Sequence, residues 1–277
     1  MRVLRSLLAS ILGAAALLPG LASAAPREYT VSVVPQFAPA QIYTSWQPLL
    51  DALEQKTGLR FKLLVYPTIP NFELAFTKGI PDFAFMNPYH VVMAHNSQGY
   101  IPLVRNDAPL SGILVVRADS DIRDIRQLDG KSVAFPAPNA FGAALYMRAL
   151  LHRDGIHITP HYVGSHDNVY RAVARGDDAA GGGVAESLSR EPAGLRAVLR
   201  VIYTTPKTAP HALAADPRVP EKDRLLVQQA LLAMGKDPAD AKILRQVQIA
   251  HPVAADYARD YAPLESLHLE KFVVQPQ

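Results

Sequence analysis

The sequence has no cysteine in its 277 residues. That absence excludes a disulfide scaffold, a thiolate zinc site, iron–sulfur ligation and a cysteine nucleophile. Charge is sparse too: charged residues make up 19% of the chain, and five like charges never follow one another. Binding to nucleic acid or a membrane surface calls for a clustered basic face, which this pattern does not supply. Catalytic signatures are also missing, with no Gly-x-Ser-x-Gly, no His-Glu-x-x-His and no Gly-x4-Gly-Lys-Ser/Thr. Gly181-Gly182-Gly183 lacks the spacing of a dinucleotide loop and reads as a close approach of backbone to the cleft or to a helix.

The chain is rich in apolar residues, at 49%, which suits one large core or two small lobes. Its first 24 residues read as an export leader: Arg2 and Arg5, an apolar run from Leu7 to Leu18, then Ala22-Ser23-Ala24. Cleavage is expected after Ala24, giving a soluble periplasmic product with no membrane insertion. Removing residues 1–24 takes away two arginines and no acid, so the formal charge of +3 falls to +1.

Beyond the leader, strands and helices alternate. Strands are predicted at 29–34, 61–65, 82–85, 101–104, 112–117, 132–135, 162–163, 178–182 and 199–204. Helices are predicted at 41–57, 71–78, 88–97, 140–153 and 166–175, with a helical turn at 124–128 and a mainly helical stretch from 221 to 272. Two such rounds imply an α/β fold of two lobes with mostly parallel sheets. The expected division is a first lobe at 25–112, a second lobe at 113–204, and a return to the first lobe with C-terminal helices at 205–277. Extended crossovers near 111–120 and 199–210 would form the hinge. Ligands of open α/β sheets sit at strand carboxyl ends beside helix N-termini. That rule selects residues 35–37, 66–71, 86–90, 137–142 and 164–168 as the cleft.

Four stretches carry a family resemblance: WQPLLDALEQKTG (46–58), GIPDFAFMNPYHVVMA (79–94), LDGKSVAFPAPNAFGAALYMRALLHRDGI (128–156) and GSHDNVYRAVARGDDAAGGG (164–183). In this order the sequence resembles the phosphate/phosphite/phosphonate substrate-binding family of ABC importers. The resemblance implies a type II periplasmic-binding fold, a two-segment hinge and an oxyanion held between the lobes. Members that bind phosphonates carry Ser-Thr-Ser before the glycine of the anion-holding helix; here Asn139, Ala140 and Phe141 precede Gly142. Where aminophosphonate binders place a carboxylate, this chain has His211.

The candidate ligand residues follow. Asn139 reads as an N-cap after Pro138, leaving the N–H groups of Ala140, Phe141 and Gly142 for an oxyanion. His166, at a helix start, aligns with a ligand-contact position of the family and can donate a hydrogen bond. Asn87, Tyr89 and His90 follow the third strand and offer donors to a polar pocket. His211 is a further candidate, and Gln36 and Tyr43 are secondary ones. The histidines at 90, 95, 157, 161, 166 and 211 suggest a metal, but 157–161 reads as extended and no carboxylate-rich run completes a shell. No metal and no cofactor are expected. An enzyme using His90 or His166 as acid–base is disfavoured because the pattern supplies no third, orienting carboxylate for either histidine. The expected function is capture of a small anion by a monomer, for an ABC permease or the periplasmic domain of a sensor kinase.

Overall fold

A computed structural model describes residues 27–274, so the expected export leader lies outside the described residues. The first lobe is built on a six-stranded sheet. Its strands are β1 (Glu28–Val33), β2 (Arg60–Val65), β3 (Phe83–Met86), β4 (Ile101–Asn106), β10 (Ala212–Ala215) and β11 (Pro252–Ala254), in the order β11-β4-β10-β3-β1-β2. The second lobe carries β5 (Gly112–Arg117), β6 (Ser132–Phe135), β7 (Thr159–Tyr162), β8 (Ala180–Val184) and β9 (Leu199–Thr204), in the order β7-β6-β8-β5-β9. In each sheet three strands run parallel, and a returning strand is inserted antiparallel: β10 between β3 and β4, and β5 between β8 and β9. The expectation of mostly parallel sheets therefore holds for two of five pairings in the first sheet and two of four in the second. β10, the tetrapeptide ALAA, was not foreseen, because four small residues carry no strand periodicity.

The helices are α1 (Pro39–Thr57), α2 (Ile69–Thr77), α3 (Pro88–Gln98), α4 (Tyr146–Arg153), α5 (His166–Arg175), α6 (Ala185–Ser189), α7 (Ala193–Ala197), α8 (Glu221–Met234), α9 (Ala241–Gln246) and α10 (Tyr257–Asp260). In α1 the apolar positions Ile42, Trp46, Leu49, Leu50 and Leu53 form one buried stripe. Gly58 closes the helix at φ 72°, where its N–H bonds to the Glu54 carbonyl. The helix expected at 140–153 is divided. Phe141–Leu145 is a π-turn, with the Leu145 N–H bonded to Ala140 and Tyr146 to Phe141, and only Tyr146–Arg153 is α-helical.

The expected hinge segments also change. β5 and β9 lie within the second sheet, and the crossovers are the shorter stretches between β4 and β5 and between β9 and β10, joined by a bridge of Leu110 to Thr208. The lobes meet behind the crossovers. Phe141, Leu145, Tyr146 and Leu150 of the second lobe pack into the core of the first.

β8 explains the triple glycine. A Cβ on Gly181 would meet Val169 at 2.5 Å, one on Gly182 would overlap the Ala143 carbonyl, and one on Gly183 would overlap the Tyr170 hydroxyl. The strand is thus squeezed between α5 and the π-turn, and only glycine fits. Gly182→Ala should destabilise the protein by about 2–3 kcal/mol through overpacking, read as a lower urea midpoint. An unchanged midpoint would show that the π-turn yields freely.

Candidate functional site

Strand carboxyl ends and helix N-termini converge on one interlobe cleft of about 780 Å³. All five segments chosen from the sequence contribute to its lining, through Pro35 and Gln36, Pro67 to Asn71, Asn87, Ala137 to Gly142 except Asn139, and Gly164 to His166. The crossovers add Asn106 to Ser111 except Asp107, together with Pro210 and His211, and the start of α6 adds Ala185 and Glu186. Among these described residues none is lysine or arginine. The carboxylate, Glu186, is held by Arg190.

Five helical N-termini face this space, and they differ in how their donors are used; the short α6 starts after Val184 without a side-chain cap. Thr68 caps α2 by accepting from the Asn71 N–H, Asn87 caps α3 by accepting from His90, and Ser165 caps α5 by accepting from Asn168. Prolines at the starts of α2 and α3 remove a further donor each. The π-turn has no side-chain cap, since its N-cap residue is Ala140. The Ala140 N–H is taken by the Ala137 carbonyl at 3.3 Å. The unused donors are therefore Phe141, Gly142 and Ala143, one residue further along than expected, and no backbone carbonyl among the described residues accepts from them. An uncapped start of this kind presents N–H groups and a positive dipole end to an anion.

Asn139 does not have the place expected of it. Its side chain is 1% exposed and does not line the cleft. Its Nδ2 lies 3.0 Å from both carboxylate oxygens of Glu73 and 3.0 Å from the Val274 carbonyl, while Oδ1 accepts from the Val274 N–H at 3.0 Å. Asn139 is therefore a joint between the lobes and the C-terminal strap. The Asn87 Nδ2 also reaches the Asn139 carbonyl at 3.3 Å. Beside the strap, the guanidinium of Arg148 donates to the carbonyls of Pro138 and Phe272.

His90 and Tyr89 are likewise buried and off the cleft lining. His90 Nε2 lies 2.9 Å from Glu73. The sequence offered no orienting carboxylate for this histidine, and the structure corrects that: Glu73, from α2, is its partner. The pair is sealed inside the first lobe, at 0% and 4% exposure, which removes it from contact with a cleft ligand. Burial, with Glu270 and Glu73 nearby, pushes the Tyr89 phenol up to about 12. Of the secondary candidates, Gln36 lines the cleft and bonds Gln248 at 3.0 Å, while Tyr43 is exposed on α1.

His166 and His211 line the cleft from opposite lobes. Burial lowers His166 to about 4 despite the adjacent Asp167. Burial also lowers His211 to about 3, with His90 and His166 acting in the same direction. The His211 ring stacks on Phe85 at 5.5 Å. Both rings are therefore neutral at neutral pH. The other histidines are dispersed: His157 lies beside Asp129, His161 beside Asp178, and His95 stacks on Tyr257. Among the described residues no group of three or more His, Asp or Glu could hold a metal.

Glu73, Val274 and Ser187, which meets the His166 ring, were not foreseen. Glu73 had no detectable signal, since a lone acid in a short amphipathic helix reads as solvent-facing.

Two α/β lobes, two crossovers and an uncapped helix start in the cleft between them define a bilobal solute-binding protein of the type II periplasmic class. The chain belongs to the family described as ABC transporter, phosphonate, periplasmic substrate-binding protein, which it matches over residues 31–261. The phosphate-import protein PhnD of Mycolicibacterium smegmatis is 26% identical over 175 residues, covering 56% of this chain. That match spans about half the relative's length, 54%. PhnD1 from Prochlorococcus marinus (MIT 9301), solved with methylphosphonate, superposes with a TM-score of 0.78 at 15% identity, covering 89% of this chain and 98% of that one. The binding-protein component of an ABC phosphonate transporter from Pseudomonas aeruginosa gives 0.76 at 16% identity, covering 89% and 87%. At such identities the likeness shows the fold.

Two predictions come from this geometry. Asn139→Ala leaves the Glu73 carboxylate and the Val274 backbone without their partner, and should cost about 2–4 kcal/mol in chemical unfolding. A loss below about 1 kcal/mol, the net value of one ordinary hydrogen bond, would show the joint to be dispensable. The second concerns pH. A histidine whose folded pKa is depressed is protonated in the unfolded chain first, so ligand-free stability is full above about 6.5 and falls as pH drops towards 4. Between pH 7 and 5 each of His166 and His211 should remove about 2 kcal/mol, and replacing both with glutamine should flatten that part of the profile.

Proposed function

We propose that this protein is exported, cleaved after Ala24, and works in the periplasm as the ligand-capturing component of an ABC importer. It holds a small oxyanion, phosphate- or phosphonate-like, between its lobes and presents it as a monomer to a membrane permease. The observation that carries this reading is the uncapped π-turn: the free N–H groups of Phe141, Gly142 and Ala143 open into a cleft whose described lining contains no lysine or arginine. Each charge-assisted N–H bond contributes on the order of 1.5–3 kcal/mol, so three can hold an anion without a formal cation. Asn87 and His166 complete the polar contacts, and Ala140, Phe141 and Gly142 supply the wall and backbone. The rings of Tyr89 and His90 and the Asn139 side chain support that wall from behind.

Capture works by population shift. The ligand bridges the lobes, favours the closed arrangement, and thereby marks the protein for its partner. The ligand is bound, not converted. The Glu73–His90 pair is sealed from the cleft, and the recorded partner of His166 is a serine.

His211 decides between kinds of phosphonate. A neutral imidazole cannot pair with an ammonium as a fixed carboxylate would, and Glu186 is already engaged by Arg190. Titration calorimetry should show phosphate or methylphosphonate binding at least as tightly as 2-aminoethylphosphonate. His211→Asp should weaken binding of the simple anions by roughly tenfold or more through like-charge repulsion. If 2-aminoethylphosphonate binds the wild type more tightly than every simple oxyanion, this assignment of His211 is wrong.

A further inference from the structure

The hydrogen-bond partners of His166 fix where its ring hydrogen sits. Its Nδ1 lies 3.1 Å from the Ser187 Oγ. That oxygen also lies 2.9 Å from the Val184 carbonyl and 2.6 Å from the Tyr170 hydroxyl, which itself stands 3.2 Å from that carbonyl, and the Val184 N–H makes a longer contact to the Ser187 Oγ at 3.4 Å. A hydroxyl has one hydrogen, and a carbonyl can only accept. The 2.9 Å contact is attractive only if Ser187 gives its hydrogen to Val184. Tyr170 then donates to Ser187, and Nδ1 must donate as well, because the serine has no second hydrogen to give. In the neutral ring the hydrogen is on Nδ1, and Nε2, on the side away from Ser187, carries a lone pair.

The surroundings do not favour a charged ring. Asp167 and Arg171 on α5 pair with each other, as do Glu186 and Arg190 on α6. Glu191 lies next to Asp167. His211, with His90 behind it, faces His166 from the first lobe. Burial outweighs the pull of Asp167 and keeps the ring neutral down to about 4. A fully ionised oxyanion also offers only lone pairs, so it meets Nε2 lone pair to lone pair. The contact becomes a hydrogen bond when one proton is added, whether on Nε2 or on the ligand oxygen. Placing it on the ring at pH 7 costs about a thousandfold in affinity from the depressed value. An oxygen that titrates near neutrality takes it at little cost.

We propose that the cleft takes its ligand together with one proton, and that His166 Nε2 thereby selects phosphorus oxyanions with an ionisable oxygen over sulfate and sulfonates. This rests on the oxyanion reading of the cleft and adds the protonation state of its ligand. Methylphosphonate and methanesulfonate are the probes, since they share shape and differ in that proton. Calorimetry on the whole exported protein at pH 6, 7, 8 and 9 should find methylphosphonate at least ~100-fold tighter at pH 7, the scale expected when a buried hydrogen-bonding group is left unpaired. Its affinity should fall about tenfold per pH unit once the ligand is fully ionised, as uptake of one proton requires. His166→Gln, whose amide presents a donor as well as an acceptor, should narrow the preference to below ~10-fold, consistent with loss of one unpaired polar contact. Should that variant fail to fold, the wild-type pH profile decides. Methanesulfonate binding as well as methylphosphonate, or a flat profile from pH 6 to 9, would overturn the proton-linked selection and leave the oxyanion reading standing. Binding of neither probe at any pH would overturn both.

Discussion

The buried carboxylate of Glu73 is the constraint on which the rest of the site depends. A charge taken out of water costs several kcal/mol unless partners meet it with good geometry. Here one partner, His90, comes from the same lobe, and the other, Asn139, comes from the second lobe. Asn139 in turn grips both backbone groups of Val274, so the chain's last described residue is bound to the same point. Lobes and C-terminal strap therefore share one polar joint behind the cleft. A motion that parted the lobes there would strand the carboxylate. A second contact between the lobes, Arg190 over the half-buried Phe37 ring at 5.7 Å, is weaker than this joint.

The same joint sets the position of the uncapped turn. Asn139 immediately precedes the uncapped π-turn, and Phe141, Leu145 and Tyr146 pack into the first lobe's core. The donors are thereby placed by backbone geometry and core packing. A cleft that offers dipoles and neutral imidazoles has no fixed cation to hold an anion against release. For a protein that must give up its ligand, this balance favours specificity through hydrogen-bond direction over binding strength from charge.

Much of this was legible in the sequence, and what was not has identifiable causes. The strands at 112–117, 132–135 and 199–204 and the helix at 166–175 were placed to the residue, because apolar runs marked the strands and Ser165 and Gly176 marked the ends of the helix. The cleft was legible as five segments, since strand ends and helix starts are local features. Which side chains face it was not. Asn139 fits an N-cap by every local rule, yet a carboxylate 66 positions away and a backbone 135 positions away claim its amide. His90 and Tyr89 follow a strand as cleft residues do, but their helix buries them. These outcomes rest on long-range pairing, which no window of sequence contains. The π-turn was missed because its signal is one extra residue in a register that still looks helical.

The uncapped turn is also where local stability and function part company. Thr68, Asn87 and Ser165 cap three of the helices that face the cleft. A capping side chain in place of Ala140 would add about 1 kcal/mol to the ligand-free protein. It would do so by accepting from N–H groups of the kind an oxyanion needs, so the cap and the ligand compete for the same donors. Alanine removes the competitor and leaves the helix start unsatisfied except by water until the cleft is filled. The Ala140 carbonyl accepts from both the Ala144 N–H at 2.8 Å and the Leu145 N–H at 3.1 Å, so the free donors are those that precede this first closing bond, as at any uncapped helix start. The start of the π-turn is therefore suited to hold the ligand because no side chain of its own satisfies it.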